Sequence, residues 1–126
     1  AYYSFCQDIP YTNWSDSSQH CANNGGYLVR IDDANESQWV STFASTEYQG
    51  NYVKYWLIDV RDLLSNGQWT LSDGSNLSYS DWGANQPSGD GSCASLNTGA
   101  NTYDGWNDHT CIEGEVDLFG LICEYR

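Results

Sequence analysis

Five cysteines constrain this chain more than any other feature of its sequence. They stand at positions 6, 21, 93, 111 and 123 of 126 residues, so they are spread over almost the whole length. None of them forms a Cys-x-x-Cys pair, and zinc or thioredoxin-type chemistry is therefore poorly supported. In a chain with six Trp and no Met, we interpret them as a disulfide framework. Such a framework predicts an oxidising compartment and a secreted, extracellular protein.

The charge of the chain limits its partners. Four Lys and Arg stand against seventeen Asp and Glu, which gives a formal net charge of -13. A surface this acidic repels phosphate backbones and anionic lipid, so we expect no nucleic-acid partner. It attracts divalent cations, although solubility alone explains the charge equally well. The length predicts one domain over residues 1–126.

Several features agree with export. Asn-x-Ser sequons begin at Asn13, Asn35 and Asn76, but such triplets are common by chance in a chain rich in Ser and Asn. No apolar stretch approaches the roughly 18 residues of a membrane span, so no membrane insertion is expected. Because the sequence opens at Ala1-Tyr2-Tyr3, we expect a mature form from which a targeting segment has been removed.

The first third of the chain predicts two helices and a strand. We place the first helix over Trp14 to Asn23, capped by Ser15 and ended by Gly25-Gly26. The segment from Tyr27 to Ile31 alternates apolar and polar residues, as a half-buried strand does. Asp33 or Asn35 then caps a second helix, which is predicted to run to about Tyr48 with Trp39, Val40 and Phe43 at helical spacing.

The rest of the chain predicts strands on either side of a long loop. A buried strand covers Tyr55 to Val60, and further strands run from Trp106 into Cys111 and from Leu118 to Tyr125. Between Asp62 and Tyr103 the chain is mostly Gly, Ser, Asn and Asp. That composition indicates either disorder or a functional loop held by side chains, bridges or metal. The interleaved tryptophans favour the second, and we assign Trp56, Trp69, Trp82 and Trp106 to the core.

Read in order, a series of short elements resembles a C-type lectin domain over nearly the whole chain. The elements are the Trp14…Cys21 helix, Gly25-Gly26-Tyr27-Leu28-Val29-Arg30-Ile31, Glu36 with Trp39-Val40, Trp56-Leu57-Ile58-Asp59, Asp73-Gly74-Ser75, Trp82, Gln86-Pro87-Ser88, Trp106-Asn107-Asp108 and Cys123-Glu124. The resemblance implies an α+β fold, with two helices flanking small antiparallel sheets and a long metal-binding loop region. It also implies an outer bridge Cys21–Cys123 and an inner bridge Cys93–Cys111. Cys6 is left over, so we predict a disulfide-linked homodimer through Cys6, with a buried or capped thiol as the alternative.

The same resemblance implies a calcium site. Family members take ligands from a triplet centred on a cis proline, an acid before the inner cysteine, and a Trp-Asn-Asp strand. On this chain the metal ligands would be Gln86, Ser88, Asp90, Asn107 and Asp108, with Pro87 cis. The family's acid usually stands two residues before the inner cysteine, at Gly91 here, and Asp90 takes the role instead. Because only Asp90 and Asp108 carry charge, we expect weak binding, with a Kd of about 10⁻⁴–10⁻³ M.

These residues would also hydrogen-bond a sugar. We assign sugar contacts to Gln86, Ser88, Asp90, Asn107 and Asp108, with His109 and Tyr103 as further candidates. Gln86-Pro87-Ser88 begins like the family's galactose-type Gln-Pro-Asp triplet but ends in a neutral Ser. The prediction is a calcium-dependent lectin of the galactose or N-acetylgalactosamine type. The alternatives are a mannose or fucose type, or a module of the same fold that binds ice or protein.

Plainer interpretations exist for each residue. Asn107 and Asp108 could cap a turn, His109 could be a solvated strand residue, and Tyr103 could pack the loop. A second calcium site is not expected, because Gly89 and Ser92 stand where acids are needed. Glu36 and Glu124 are interpreted as surface charges, with a cation position beside them left open. Neither of the two His residues has an activated Ser or Cys beside it in the pattern, so no enzyme is predicted. A role in innate defence rests on family analogy alone.

Overall fold

The computed structural model describes residues 2–6, 14–47, 55–99, 102–111 and 119–125. Two helices lie within these ranges, α1 (Trp14–Asn23) and α2 (Ala34–Glu47). The strands in the same ranges are β1 (Tyr2–Cys6), β2 (Tyr27–Leu28), β3 (Tyr55–Arg61), β4 (Cys93–Gly99), β5 (Thr102–His109) and β6 (Phe119–Tyr125). The α+β class predicted from the sequence is confirmed. Neither described helix is long and apolar enough to cross a membrane.

The described strands form one six-stranded sheet. Its order is β1-β6-β3-β4-β5, and β2 pairs with β6 as well. The pairing of β3 with β6 is parallel, whereas the other pairs are antiparallel. The expectation of small antiparallel sheets was therefore wrong: the sheet is single and mixed. The reason is that β6 buries Leu121, Ile122 and Cys123, so it inserts between β1 and β3 as a central strand.

The two helices begin and end where local chemistry dictates. Trp14 opens α1 as predicted, and its indole Nε1 donates to the carbonyl of Ile58 at 3.1 Å. Gly25 follows the helix with a φ of 85°, a conformation that glycine adopts without strain. Of the two predicted caps for α2, Asp33 is the one used, because its Oδ1 accepts the N–H of Glu36 at 2.8 Å.

Apolar side chains pack on both faces of the sheet. The face covered by α2 holds Trp56, Ile58, Leu96 and Trp106 together with Val40 of the helix. The face covered by α1 holds the residues around the outer disulfide, namely Trp14, Cys21, Leu28, Leu57, Leu121 and Cys123. The predicted core roles of Trp56 and Trp106 are confirmed, and the partly buried Trp69 and Trp82 pack against the first cluster.

Both predicted disulfides are present. Cys21 is bonded to Cys123, and Cys93 is bonded to Cys111. Cys6 is a free, half-buried thiol on β1, 4.0 Å from Nε2 of His20. Its partner in a dimer stays a prediction.

Glu124 corrects one expectation. We interpreted it as a surface charge, but it is fully buried, and its Oε1 accepts the backbone N–H of Arg30 at 2.9 Å. Glu36 is half-buried, and its Oε1 accepts the N–H of Asp32 at 2.8 Å. Both carboxylates therefore tie backbone segments together.

The long loop is shorter than the sequence indicated. It runs from Asp62 to Ser92, and the next seven residues form β4. Part of the loop lies along β5, because Trp106 donates its N–H to Asp81 at 2.8 Å and accepts from Gly83 at 2.9 Å. The approach is close enough that a Cβ on Gly105 would lie 2.7 Å from the backbone of Gly83. This contact directs the following residues toward the end of β5.

Candidate functional site

A cis peptide bond shapes the loop at the predicted site. The bond between Gln86 and Pro87 is cis, as we expected from the sequence. A turn precedes it, in which Gln86 donates its N–H to Gly83 at 3.0 Å and Asn85 has a φ of 63°. Asn tolerates this left-handed backbone better than most residues. The turn and the cis bond together bring Ser88 to the end of β5.

The carboxylate of Asp108 accepts hydrogen bonds from residues 88–91 of the loop. Oδ1 accepts the N–H of Ser88 at 2.8 Å and its hydroxyl at 3.0 Å. Oδ2 accepts the N–H groups of Gly89 at 2.9 Å, Asp90 at 2.7 Å and Gly91 at 3.4 Å. Asp108 is fully buried, and the dipoles of these backbone N–H groups stabilise its negative charge. We call this arrangement the Asp108 cradle.

These hydrogen bonds decide the charge state of Asp108. Burial by itself would raise its pKa, but the N–H and hydroxyl of Ser88 and the N–H groups of Asp90 and Gly89 lower it below the ordinary value. Asp108 is therefore ionised at neutral pH. Asp90 joins the cluster from the exposed side, where its Oδ2 accepts the hydroxyl of Ser88 at 2.8 Å.

The position of Asp90 has a steric explanation. The family resemblance puts an acid at position 91, where this chain has Gly. A Cβ at that position would overlap the backbone carbonyl of His109. Only glycine fits there, so an acid near this point of the loop has to come from a neighbouring position, and Asp90 is the adjacent one.

Gln86 and Asn107 contribute a different kind of group. Gln86 Oε1 and Asn107 Oδ1 are both buried, and neither receives a hydrogen bond from the residues that the structure describes. A buried amide oxygen without a donor is costly unless another electropositive group faces it. Oxygen ligands of this kind are what calcium takes. The two amides therefore fit the cation that the resemblance implies.

The strand geometry limits how Asn107 and Asp108 cooperate. Side chains alternate along a strand, so Asp108 shares its face with Trp106, and Asn107 shares the other with His109. Because β5 is the last strand of the described sheet, a ligand beside Asn107 and Asp108 at its outer edge can be reached from both faces. With five donors on Asp108, the amide and hydroxyl oxygens are the less committed ligands. No group of three or more acidic, His or Cys side chains suited to a metal occurs in the described ranges.

The two further sugar-contact candidates lie apart from each other. The ring of His109 meets Tyr55 edge-on at 4.7 Å between centroids. Burial lowers its pKa, although the charges of Asp108 and Asp90 raise it in part, so the ring is neutral at pH 7. Tyr103 lies on β5, where it pairs with Thr98 of β4. It precedes Asp108 by five residues, which is about 17 Å along the strand. Its side chain lies outside the described part.

A cavity adjoins the cradle. It has a volume of about 360 Å³ and is lined by Asp62, Trp69, Pro87, Ser92 and Asp108, among others. Asp62 is buried and accepts the N–H groups of Asn66 at 3.0 Å and Gly67 at 2.8 Å. Asp62 has no role assigned from the sequence, although the Asn66-Gly67 turn that follows it is a recognisable signal.

Comparison with known proteins gives a consistent result. The profile of the Lectin C-type domain matches residues 11–125. A perlucin-like protein of Mytilus galloprovincialis is 35% identical over 114 residues, which cover 88% of this chain and 69% of that protein. The crystal structure of human lithostathine has a TM-score of 0.79 at 30% identity, covering 100% of this chain and 86% of that one.

Two further structures bear on ligands. The cow carbohydrate-recognition domain of CD23, determined in the presence of a GlcNAc2Man3 oligosaccharide, has a TM-score of 0.69 at 26% identity and covers 96% of this chain and 84% of its own. The herring type II antifreeze protein has a TM-score of 0.71 at 25% identity and covers 96% and 88%. With the profile match over most of its length, the chain belongs to the C-type lectin domain family.

Proposed function

We propose that this chain is a calcium-dependent carbohydrate-binding protein, a single recognition domain over residues 1–126 that binds and does not catalyse. The observation that carries the proposal is the pair of buried amide oxygens without donors, Gln86 Oε1 and Asn107 Oδ1, beside a cis-proline loop. Calcium would be held by Gln86, Asn107, Ser88 and Asp90, with Asp108 completing the set. Members of this family are generally binding proteins and not enzymes.

The chain's own groups supply the sugar's hydrogen bonds. Calcium, when bound, offers open coordination positions to two neighbouring hydroxyls. The amide N–H groups of Gln86 and Asn107 donate to hydroxyl oxygens, and the carboxylate of Asp90 accepts from a hydroxyl. The Asp108 cradle fixes the loop that carries Ser88 and Asp90, so these groups are held in place before a ligand arrives.

The proposed sugar is of the galactose or N-acetylgalactosamine type. Gln86 opens the triplet as in the family's galactose form, and Ser88 replaces its acid with a neutral hydroxyl that can donate or accept. In this structure that hydroxyl lies 2.8 Å from a carboxylate oxygen of Asp90 and 3.0 Å from one of Asp108, and its single proton is shared between them. The cow CD23 domain, whose structure was determined in the presence of an oligosaccharide, supports glycan recognition in general.

Affinity chromatography tests the function. Pure protein in millimolar calcium should be retained on galactose resin and eluted by EDTA. Gln86→Ala should abolish retention, whereas Gln68→Ala is the matched control, because Gln68 is exposed on the same loop. Circular dichroism of both variants establishes that they are folded. Retention that EDTA leaves unchanged would contradict the proposal.

A second candidate is a module that binds ice or protein without sugar. The Asp108 cradle favours it, because hydrogen bonds from residues 88–91 already occupy the carboxylate that a metal would use. The herring antifreeze protein shares the fold. Thermal hysteresis, or a protein ligand bound in EDTA, together with no signal on a glycan array in calcium, would establish this alternative.

Location and assembly follow from the cysteines. Two disulfides persist in oxidising compartments, and we therefore propose that the protein acts outside the cell. A dimer linked through Cys6 would carry two recognition sites. Two sites on one particle allow multivalent binding to glycan-bearing surfaces.

A further inference from the structure

Two exposed aromatic rings of α2 contact two half-buried rings of β1. The rings belong to Tyr3 and Phe5 of β1 and to Trp39 and Phe43 of α2, and we call them the α2 aromatic patch. Trp39 lies 4.9 Å from Tyr3 and 4.4 Å from Phe43 between ring centroids, and Phe43 lies 6.1 Å from Phe5. Trp39 is 46% exposed and Phe43 is 44% exposed. A cluster of aromatic rings with this much solvent exposure is typical of a surface that another group covers.

A polar rim surrounds these rings. Asn35, Gln38 and Thr42 line, with Trp39 and Phe43, an open cavity of about 300 Å³. That volume is at the lower end of the range of small-molecule sites. An apolar floor with amides and a hydroxyl at its edge suits a sugar, whose C–H face packs on an aromatic ring while its hydroxyls reach polar groups.

One residue of the rim can carry a sugar covalently. Asn35 opens the sequon Asn35-Glu36-Ser37, is exposed, and lies in the first turn of α2. Trp39 follows it by four residues, so both side chains emerge on the same side of the helix, about one turn apart. We propose that Asn35 carries an N-linked glycan and that its first sugar packs against Trp39, covering the α2 aromatic patch.

The attachment is an ordinary group transfer. Nδ2 of Asn35 forms a bond to the anomeric carbon of the first sugar, while the bond from that carbon to the diphosphate of a lipid-linked oligosaccharide breaks. The lipid diphosphate leaves, and Nδ2 loses one proton. The proposal requires export through a glycosylating compartment but does not depend on calcium or on the loop site.

The burial of Ser37 fixes when this transfer happens. Ser37 is 3% exposed in the folded chain, yet the hydroxyl residue of a sequon has to be accessible to the transferase. The glycan is therefore added before α2 packs on the sheet, during synthesis. Afterwards Asn35 remains exposed, so the folded domain accommodates the glycan without displacing core residues.

The tether selects this occupant over a separate partner. A sugar bonded to Asn35 is held one helical turn from Trp39 at a high effective concentration, whereas a second protein would have to associate from solution. A second copy of this chain seated on the patch is the competing occupant, and the experiment separates the two.

Expression in secreting eukaryotic cells provides the first test. A C-terminal tag with its own sequon reports that transfer occurred. Peptide mass spectrometry should find a glycan at Asn35, and none at this position in Asn35→Gln, while Asn76→Gln keeps it. A glycosylated tag with unmodified Asn35 would overturn the proposal, as would a dimer of unmodified protein that Trp39→Asp dissociates.

Chemical footprinting provides the second test. N-bromosuccinimide oxidation of Trp39, mapped by mass spectrometry with Trp69 as the reference, should be about fivefold slower in the glycosylated protein than in Asn35→Gln, the ratio for about 1 kcal/mol of contact. Enzymatic trimming to a single sugar should preserve that protection, because the first sugar makes the contact. Equal oxidation of Trp39 in glycosylated protein and Asn35→Gln overturns the packing arrangement.

Discussion

Replacing Asp108 by Asn tests the cradle that organises the site. The carboxylate accepts five hydrogen bonds from residues 88–91. Asn replaces the two carboxylate oxygens by one amide oxygen and one NH2 group. The NH2 group cannot accept a hydrogen bond, so the backbone N–H groups that face it lose their acceptor. The change removes the charge as well, which weakens each remaining hydrogen bond.

The size of the effect follows from the donors left over. If the Asn oxygen stays with Gly89, Asp90 and Gly91, the N–H of Ser88 loses its acceptor. An unsatisfied donor costs roughly 1–3 kcal/mol, and the change from charged to neutral acceptor costs about 1 kcal/mol more. Water can reach the exposed loop residues, so we expect a loss of about 2–3 kcal/mol in the free energy of unfolding.

Urea unfolding in EDTA measures this loss without any contribution from metal. Hydrogen exchange at Gly89 and Asp90 reports the loop itself and should accelerate in Asp108→Asn. Asp90→Asn is the matched control, since Asp90 is exposed, and its stability should stay within about 0.5 kcal/mol of the original. If Asp108→Asn unfolds at the original urea concentration with unchanged exchange, the cradle does not hold the loop.

Three further predictions concern the surrounding chain. Burial lowers the pKa of His109 below its ordinary value of 6.5, although the charges of Asp108 and Asp90 oppose this shift. The unfolded chain therefore binds the proton more readily than the folded chain. The contribution of His109 to the free energy of unfolding is complete above the ordinary pKa and is lost as the pH drops below it. His109→Gln should flatten that part of the pH–stability curve, and an unchanged slope between pH 7 and 5 would contradict the assignment. Converting Cys93 and Cys111 to Ala opens a bridge with a separation of 18 residues and should cost about 3 kcal/mol of unfolding free energy in urea. On a non-reducing gel the protein should migrate as a dimer and Cys6→Ser as a monomer; a monomeric band for both would remove the dimer.

Strong local signals made the helices predictable. Trp14 at one end and Gly25-Gly26 at the other bound α1 as the structure has it. The predicted end of α2, Tyr48, lies outside the described residues, which carry the helix to Glu47. The sequence left the cap open between Asp33 and Asn35 because both are good capping residues, and the hydrogen bond to Glu36 decided it.

Strands that depend on tertiary pairing were missed. β4 contains Ser95, Asn97 and Gly99, which have low strand propensity. It is a strand because β3 and β5 pair with it on both sides. β1 was not predicted either, since its pairing partner β6 lies over a hundred residues away in the chain. The predicted strand from Trp106 to Cys111 ends at His109, and Leu118 lies outside the described residues.

From the sequence the site could be proposed as a set of residues but not as a geometry, and the binding role of that set stays a prediction. The resemblance placed Gln86, Ser88, Asp90, Asn107 and Asp108 in one site, and the structure joins Ser88, Asp90 and Asp108 by hydrogen bonds. The wrapping of Asp108 by four backbone N–H groups depends on how the loop folds over β5, and no sequence pattern encodes that. The sequon at Asn13 and the side chain of Tyr103 lie outside the part of the chain that the structure describes.

Calcium titration in a calorimeter measures whether the proposed site binds its ion. We expect uptake of one ion by pure folded protein, with a Kd of about 10⁻⁴–10⁻³ M, and a loss of about tenfold in affinity for Asn107→Ala, whose oxygen is one of the buried pair. Asn23→Ala, an exposed position on α1, should bind as the original does. No heat and no bound calcium up to about 10 mM, well above the expected Kd, would rule out the proposed calcium site.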